Sequence, residues 1–252
     1  MKAALIAPRG YEDTALRSDI HLLLPLQHTV ANPAYLRYAK QAKERGDYII
    51  LDNGAAEGDL VDTQTLLSTA ALWGAHEIVG PDILDDQEGT LELMQAFLGS
   101  PAWREREDLD VKLMGVLQGK SHGERRELLY YYADQPDIKV LGIPKVCVKH
   151  EGSDLRAYIA QMVMDVFPSR FEIHLLGASP AFVDELQRID FPPGIRSTDS
   201  TLPYKFTWGD QRLGTDRNHV KRWPAYFAES KYMNPVLLDY NIMTYMRWAR
   251  NA

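Results

Sequence analysis

Several features that mark common protein classes are missing from this chain of 252 residues. A single cysteine, Cys147, excludes a disulfide scaffold or a multi-cysteine zinc site within one chain, and it makes the cytoplasm the expected setting. Val146 and Val148 flank Cys147, which favours a small core residue over a nucleophile. No apolar run approaches the roughly 20 residues of a membrane span. The first eight residues are too short for a secretory signal and are predicted to form a strand.

Positive charge is also scarce, because the formal net charge is −7. This balance argues against broad, non-specific binding of nucleic acid. Residues 205–231 are the exception, with six lysines or arginines against three acidic residues. Such a segment is either a solvated helix face or a local patch that steers a polyanion. The candidate contacts to nucleic acid are Lys205, Arg212, Arg217, Lys221 and Arg222.

A glycine-rich phosphate loop is absent after the first predicted strand, where Pro8–Tyr11 follow. This lowers the case for an open, doubly wound sheet. Instead the chain holds eight short runs rich in Ile, Val and Leu, typical of strands buried on both faces of a parallel sheet. These predicted strands are 2–7, 21–26, 48–52, 77–81, 112–117, 139–143, 171–176 and 195–199.

Helical patterns separate most of these strands, and Asp62 and Ser121 stand where helix caps belong. Strand and helix alternating about eight times predict an α/β fold, a (β/α)8 TIM barrel over residues 1–204. Residues 205–252 are expected to form a helical extension packed on it, and residues 99–110 a surface loop. The predicted helices are 33–45, 63–74, 87–98, 122–133, 153–166, 180–188, 215–229 and 234–250.

Acidic or amide residues end four of the predicted strands: Asp52, Asp82, Gln118 and Asp199. Each has a simpler explanation by itself, since Asp52-Asn53-Gly54 is a common turn sequence and Asp82 could cap a helix. In a parallel barrel, however, such positions converge on one rim, where active sites form. Carboxylates clustered with an amide there indicate covalent or acid/base chemistry on a polar substrate.

The order and the amino-acid sequences of these segments resemble the motifs of the tRNA-guanine transglycosylase family, which exchanges guanine for a 7-deazaguanine. The resemblance spans residues 49–204. The matching segments are Asp52-Asn53-Gly54-Ala55-Ala56, Pro81-Asp82-Ile83-Leu84, Leu117-Gln118-Gly119-Lys120, Leu141-Gly142-Ile143-Pro144, His174-Leu175-Leu176-Gly177 and Asp199-Ser200-Thr201-Leu202-Pro203.

The resemblance implies a role for each residue. Asp199 would be the nucleophile that attacks the sugar C1′ and expels guanine. Asp52 would be the general acid and base. The residues implied in binding the base are Asp82, Gln118, Gly119, Gly142, Ile143, Leu176, Gly177 and Asn53. No cofactor is implied beyond the 7-deazaguanine base, such as preQ0 or queuine.

The chain departs from the family pattern in ways that bear on its substrate. The cysteines of the family's structural zinc are missing, so no metal is expected. Ala55 and Ala56 stand where the family often has a glycine and a base-stacking aromatic, Leu176 replaces a methionine, and Cys147 lies near the position of an expected glutamate. The compact, zinc-free chain is similar to phage and bacterial relatives that place 7-deazaguanines in DNA. DNA is therefore the preferred substrate over tRNA.

Two further hypotheses stay open from the sequence. The acidic balance would also suit a nucleoside or nucleotide N-glycosidase, or a deoxyribosyltransferase, acting on small molecules. A non-catalytic barrel that partners another protein is the third, although the presence of both Asp52 and Asp199 argues against it. A homodimer or a helper subunit is compatible with each hypothesis.

Overall fold

The structure is a computed structural model. It describes residues 1–106, 109–147, 155–178, 186, 191–214 and 226–252, without the side chain of His28. Among these residues no helix has both the length and the apolar character to cross a membrane.

Eight parallel strands form one sheet, and all eight predicted strands are confirmed. From β2 to β8 each strand pairs with the next one in sequence, and β1 pairs with β8. The edges of β1 and β2 meet through the segment that leads into β2, where Asp19 N–H donates to the Ala3 carbonyl at 2.9 Å. The sheet is therefore a (β/α)8 barrel. Its strands are β1 Lys2–Leu5, β2 His21–Leu23, β3 Ile49–Leu51, β4 Glu77–Val79, β5 Lys112–Val116, β6 Ile138–Pro144, β7 Glu172–Leu176 and β8 Ile195–Ser200.

Helices lie between the strands and cover the outside of the barrel. They are α1 Gln27–Val30, α2 Pro33–Glu44, α3 Thr63–Trp73, α4 Gln87–Gly99, α5 Pro101–Arg104, α6 His122–Ala133, α7 Leu155–Val166, α8 Leu202–Trp208 and α9 Pro235–Asn251. The predicted caps are present, since Asp62 accepts from Thr65 N–H and Ser121 from Glu124 N–H. A short 3-10 helix, Glu12–Arg17, occupies the first connection.

Two parts of the helix prediction were wrong or incomplete. Within the predicted loop 99–110, Ser100 caps the short helix α5, which buries Trp103 against the rest of the outer layer. Helix α8 was not predicted, because its apolar residues directly follow the strand-like run of β8; it crosses the expected domain boundary at residues 204–205. The predicted helix 180–188, apart from Leu186, and most of 215–229 lie outside the described residues.

The apolar core has two layers. The inner layer fills the barrel with small and aliphatic side chains from β1 to β6, among them Ala4, Leu22, Ile50, Met114 and Val140. The outer layer packs the opposite strand faces against the helices. This is why the strands read as continuous apolar runs rather than as an alternating pattern.

A layer of charged side chains closes the inner core at the amino-terminal ends of the strands. Arg196 on β8 donates to both carboxylate oxygens of Glu77 on β4, at 2.7 and 3.1 Å, and to Glu172 on β7 at 2.6 Å. Strands β4 and β8 lie on opposite sides of the barrel, so these bonds cross its interior. Tyr48 and Lys112 donate to the same two carboxylates. Burial of Arg196 and Glu77 is therefore compensated by a connected set of hydrogen bonds.

Candidate active site

A cavity of about 310 Å³ opens at the carboxyl ends of the strands. Asp52, Asp82, Gln118 and Asp199 all line it, together with Asn53, Leu176, Gly177 and Lys205. Its size is that of a small-molecule site, and its wall combines aliphatic side chains with a few polar groups. The other lining residues are Ile6, Leu24, Ala55, Ala56, Glu57, Val79, Leu84, Pro144, Lys145, Val146, Ala178 and Thr201.

Asp82 is held by two amides. Asn53 Nδ2 donates to Asp82 Oδ1 at 2.6 Å, and Gln118 Nε2 donates to Asp82 Oδ2 at 2.5 Å. The amides are fixed in turn, because Asn53 Oδ1 accepts from Ala55 N–H and Gln118 Oε1 accepts from Asp85 N–H. Burial raises the pKa of Asp82, against the effect of both amide hydrogen bonds. Both carboxylate oxygens are thus fixed in orientation, and each keeps further acceptor capacity for a ligand N–H.

Asp52 follows β3 and begins a tight turn. Its Oδ1 accepts from Gly54 N–H at 2.9 Å, and Gly54 has a φ of 82°. A side chain at residue 54 would meet the Asp59 carbonyl and Leu26, so the turn requires glycine. Burial, followed by repulsion from the Glu57 carboxylate, raises the pKa of Asp52 to about 8. This shift favours the protonated form of the Asp52 carboxyl at neutral pH, and that form has a proton to give.

Asp199 lies inside the barrel near the end of β8 and is almost completely buried. Its Oδ1 accepts from Gly177 N–H at 2.8 Å and lies 3.1 Å from His174 Nε2. Gly177 has a φ of 68°, and the Lys145 side chain lies across the space that a side chain at residue 177 would fill. An ionised carboxylate is an acceptor only, and both of these neighbours can donate to it.

Three charged side chains complete the cavity. Residue Glu57 is exposed overall, but desolvation of its carboxyl in the cavity wall raises its pKa to about 7, against the attraction of Lys145. Burial, reinforced by repulsion from Lys145, lowers the pKa of Lys205 to about 8. Two ammonium groups and several carboxyls thus share one opening, an arrangement that suits a ligand carrying both N–H donors and negative charge.

Some residues that the motifs implicated do not line the cavity. Gly142 lies beneath the wall, where its lack of a side chain lets Leu176 and Met114 pack over it. Ile143 faces the outer core layer, because side chains alternate along β6. Gly119 lies three residues before α6, and its carbonyl accepts from Arg125. These three residues therefore do not line the cavity, and their contact with the base stays a prediction.

The basic residues predicted to contact nucleic acid also differ in whether they line the cavity. Lys205 reaches the cavity from α8. Arg212 lies instead with its guanidinium 5.3 Å from the ring centroid of Tyr240 on α9, away from the cavity wall. Arg217, Lys221 and Arg222 lie outside the described residues.

Sequence reasoning missed three residues of the site: His174, Glu57 and Lys145. His174 precedes Leu176 by two positions, so strand alternation alone places both on the inner face of β7. Glu57 closes the turn begun by Asp52, and Lys145 directly follows β6 as Asp52 follows β3. A search at strand ends for all charged residues, and not only for acids and amides, would have found Lys145.

In the described part of the chain, no group of three or more His, Cys, Asp or Glu side chains is arranged to hold a metal ion. The carboxyls of the cavity are engaged with amides, backbone N–H groups and His174.

Comparison with known proteins gives no family. No family model and no curated protein match the chain. Three solved structures of similar shape are a citrate synthase variant (TM-score 0.47, 11% identity, 78% of this chain and 84% of that chain), KGPDC from Streptococcus mutans (0.47, 10%, 79% and 86%) and an HpcH/HpaI aldolase from Desulfitobacterium hafniense (0.49, 12%, 82% and 89%). Similarity this low carries no information about the chemistry of the cavity.

Proposed function

We propose that the protein is a glycosyltransferase that exchanges guanine in nucleic acid, DNA in preference to tRNA, for a 7-deazaguanine such as preQ0. The observation that carries the proposal is the pairing of two carboxyls in one cavity. Asp199 accepts hydrogen bonds as a carboxylate would, whereas Asp52 holds a proton at neutral pH. A carboxylate that attacks and a carboxyl that gives a proton are the pair that covalent displacement at a sugar carbon needs.

The first half of the reaction breaks the glycosidic bond. A carboxylate oxygen of Asp199 attacks C1′ of the target nucleotide and forms an ester-like C1′–O bond. The bond from C1′ to N9 of guanine breaks, and its electron pair goes to the base. The departing guanine takes the proton of Asp52, which leaves Asp52 as a carboxylate.

The second half reverses these roles. The incoming 7-deazaguanine gives its N9 proton to the Asp52 carboxylate, and N9 attacks C1′. The bond between C1′ and the Asp199 oxygen breaks, so the free carboxylate is restored and Asp52 is again protonated. Each exchange is balanced without an added oxidant, reductant or activated donor.

Asp82 and Gln118 support recognition of the base. A guanine-like edge offers N–H donors to the spare lone pairs of Asp82 and an acceptor to the second N–H of Gln118. The aliphatic side chains of Val79, Leu84 and Leu176 would contact the faces of the ring, because the lining contains no aromatic side chain among the described residues. Contact with the base therefore depends on apolar burial rather than on aromatic stacking.

Covalent trapping tests the proposal. Wild type, Asp199→Asn and Asp59→Asn would be incubated with a labelled guanine-containing oligonucleotide, with and without preQ0, and separated on denaturing gels. Asp59 is exposed and lies outside the cavity, so its variant is a matched control for the loss of one carboxylate. We expect an adduct with wild type and Asp59→Asn and none with Asp199→Asn, since a neutral amide is a poor nucleophile. Full exchange by Asp199→Asn would refute the assigned nucleophile.

The second candidate is cleavage or transfer on free nucleosides or nucleotides. It is favoured by the net charge of −7 and by the fact that, of the predicted basic contacts, only Lys205 lines the cavity among the described residues. Binding to an oligonucleotide at increasing salt separates the two. Base exchange in a polymer predicts a steep loss of affinity as phosphate contacts release counterions, whereas a small-molecule enzyme would show little binding at any salt concentration.

A further inference from the structure

The geometry points to His174 as the positioning residue for Asp199, an inference that rests on the proposed nucleophilic role of Asp199. His174 lies on β7, and its side chain is completely buried. Its Nε2 is 3.1 Å from Asp199 Oδ1, and its Nδ1 is 2.8 Å from Ser197 Oγ. The ring therefore joins two residues of β8 that are two positions apart.

The hydrogen-bond partners assign the proton on the ring. Arg196 Nε donates to Ser197 Oγ at 3.1 Å, so this hydroxyl is already an acceptor and has its own hydrogen to give to His174 Nδ1. Nδ1 then accepts, and the ring proton is on Nε2, where it is donated to Asp199. Arg196 is held in turn by Glu77 and Glu172. A continuous series of hydrogen bonds thus runs from the charged layer to Asp199.

These donors to Asp199 use the same oxygen. Gly177 N–H and His174 Nε2 contact Oδ1, and no described residue donates to Oδ2. The carboxylate is therefore fixed at one oxygen and leaves the other for attack on C1′. A histidine that only filled the core would not need to select one oxygen of a cavity carboxylate.

An irregularity in β8 makes this contact possible. Ile173 pairs with Ile195, but the next pair is His174 with Ser197, so Arg196 is an extra residue on β8. A bulge of this kind shifts the inward and outward alternation by one. Arg196, Ser197 and Asp199 consequently all reach partners inside the barrel, whereas strict alternation after Arg196 would turn Asp199 outward.

Two substitutions at His174 test the roles of the two ring nitrogens separately. His174→Gln places an amide N–H near the position of Nε2 and can keep the bond to Asp199. His174→Asn places its amide near the position of Nδ1, so it can keep Ser197 and loses Asp199. We expect His174→Asn to lower kcat for adduct formation about 100-fold, the effect of a misplaced reacting group. His174→Gln should retain most of the rate.

Measurements of binding and stability would distinguish positioning of Asp199 by His174 from a merely structural role of His174. The Kd for the oligonucleotide should not change in either variant, because His174 does not line the cavity. Thermal unfolding is measured for both variants, with the exposed His122→Asn as control. Ser197→Ala removes only the hydroxyl that fixes the tautomer and should give a smaller fall in kcat. Equal losses in the Asn and Gln variants, or losses that follow their unfolding temperatures, would overturn the inference.

The protonation state offers a test that needs no activity. Nitrogen NMR of wild type labelled at the imidazole nitrogens, with His174→Gln used to assign the signal, should show a proton on Nε2 of His174 at neutral pH. A ring that carries its proton on Nδ1 alone would overturn the inference, even if base exchange is confirmed. Absence of any adduct with wild type would instead remove the proposed function while leaving the tautomer result valid.

Discussion

At the residue scale, the main feature is the difference between Asp52 and Asp199, two aspartates that both lie at the carboxyl end of a strand. Asp199 contacts Gly177 N–H and His174 Nε2 through one oxygen, whereas Asp52 has one backbone donor and faces other carboxyls. The positions of Asp52, Asp82, Gln118 and Asp199 around one opening were predictable from sequence, because each lies at the end of a predicted strand. The raised pKa of Asp52 was not predictable, since it depends on burial and on the nearby Glu57 carboxylate, which only the folded chain creates.

The raised pKa of Asp52 predicts that this carboxyl lowers the free energy of unfolding at neutral pH and above. The unfolded carboxyl ionises near 3.8, but the folded one keeps its proton until about pH 8, so wild-type stability from this group falls as pH rises across that window. Asp52→Asn has no such loss. At about pH 8 it should unfold roughly 2–4 °C or more above wild type, the shift that 1 kcal/mol produces in a chain of this size.

Thermal unfolding at several pH values checks this, and the pH dependence is the informative part. The difference between Asp52→Asn and wild type should shrink toward zero as the pH falls to about 4 and below, where the folded and unfolded wild-type chains both become protonated at this residue. A difference that is constant with pH, or that grows on acidification, would mean that Asp52 is not protonated in the folded protein. The variant should also lose base exchange, because it has no proton to transfer.

The amides around Asp82 give a second prediction at this scale. Gln118→Ala removes the donor to Asp82 Oδ2 and the acceptor of Asp85 N–H. Buried polar groups left in this way cost about 1–3 kcal/mol, so unfolding in urea should shift to lower concentration. Gln64→Ala, at an exposed position on α3, is the matched control and should stay within about 0.5 kcal/mol of wild type. Equal effects of the two would show that the Asp82 network adds no stability.

At the element scale, sequence patterns gave the strands more reliably than what lies between them. Apolar runs of Ile, Val and Leu located most of the strands, because burial on both faces leaves little else in them. β8 was also predicted, although it is largely polar after Ile195. Helix α8 was missed because it begins two residues after β8 and is only seven residues long. The bulge at Arg196 has no local signal at all, since it depends on which residue of β7 becomes the partner.

The charged layer at the base of the barrel predicts a large effect of a single side chain. Arg196→Met would leave Glu77, which is completely buried, without its cation. Breaking a buried ion pair costs roughly 3–5 kcal/mol. Arg17→Met removes an exposed pair with Asp239 and should cost no more than about 1 kcal/mol.

Denaturant unfolding of both arginine variants measures these costs. Adding Glu77→Gln to Arg196→Met should recover part of the loss, because no buried charge is then left unpaired. A cost for Arg196→Met as small as that of Arg17→Met would show that Glu77 is solvated or protonated in the folded protein.

At the scale of the whole molecule, the charged groups that stabilise the barrel and the residues of the candidate site lie at opposite ends of the strands. The charged layer lies at the amino-terminal ends of the strands, and the cavity lies at the carboxyl ends. This division is general for the fold, in which loops at the carboxyl ends carry function. The sequence predicted the barrel and the end of the strands at which the cavity opens. It did not predict that Gly142 and Ile143 stay behind the wall, since that depends on the facing of β6 and on Leu176 above it.

The most direct test of base exchange is the nucleoside composition of the nucleic acid itself. DNA and tRNA would be incubated separately with the protein and preQ0, digested to nucleosides and analysed by mass spectrometry, with Asp199→Asn in parallel. We predict that deoxyguanosine in DNA falls by the amount that the 7-deazaguanine nucleoside rises, and only with an intact Asp199. Release of free guanine without incorporation, or no change in either nucleic acid, would contradict base exchange.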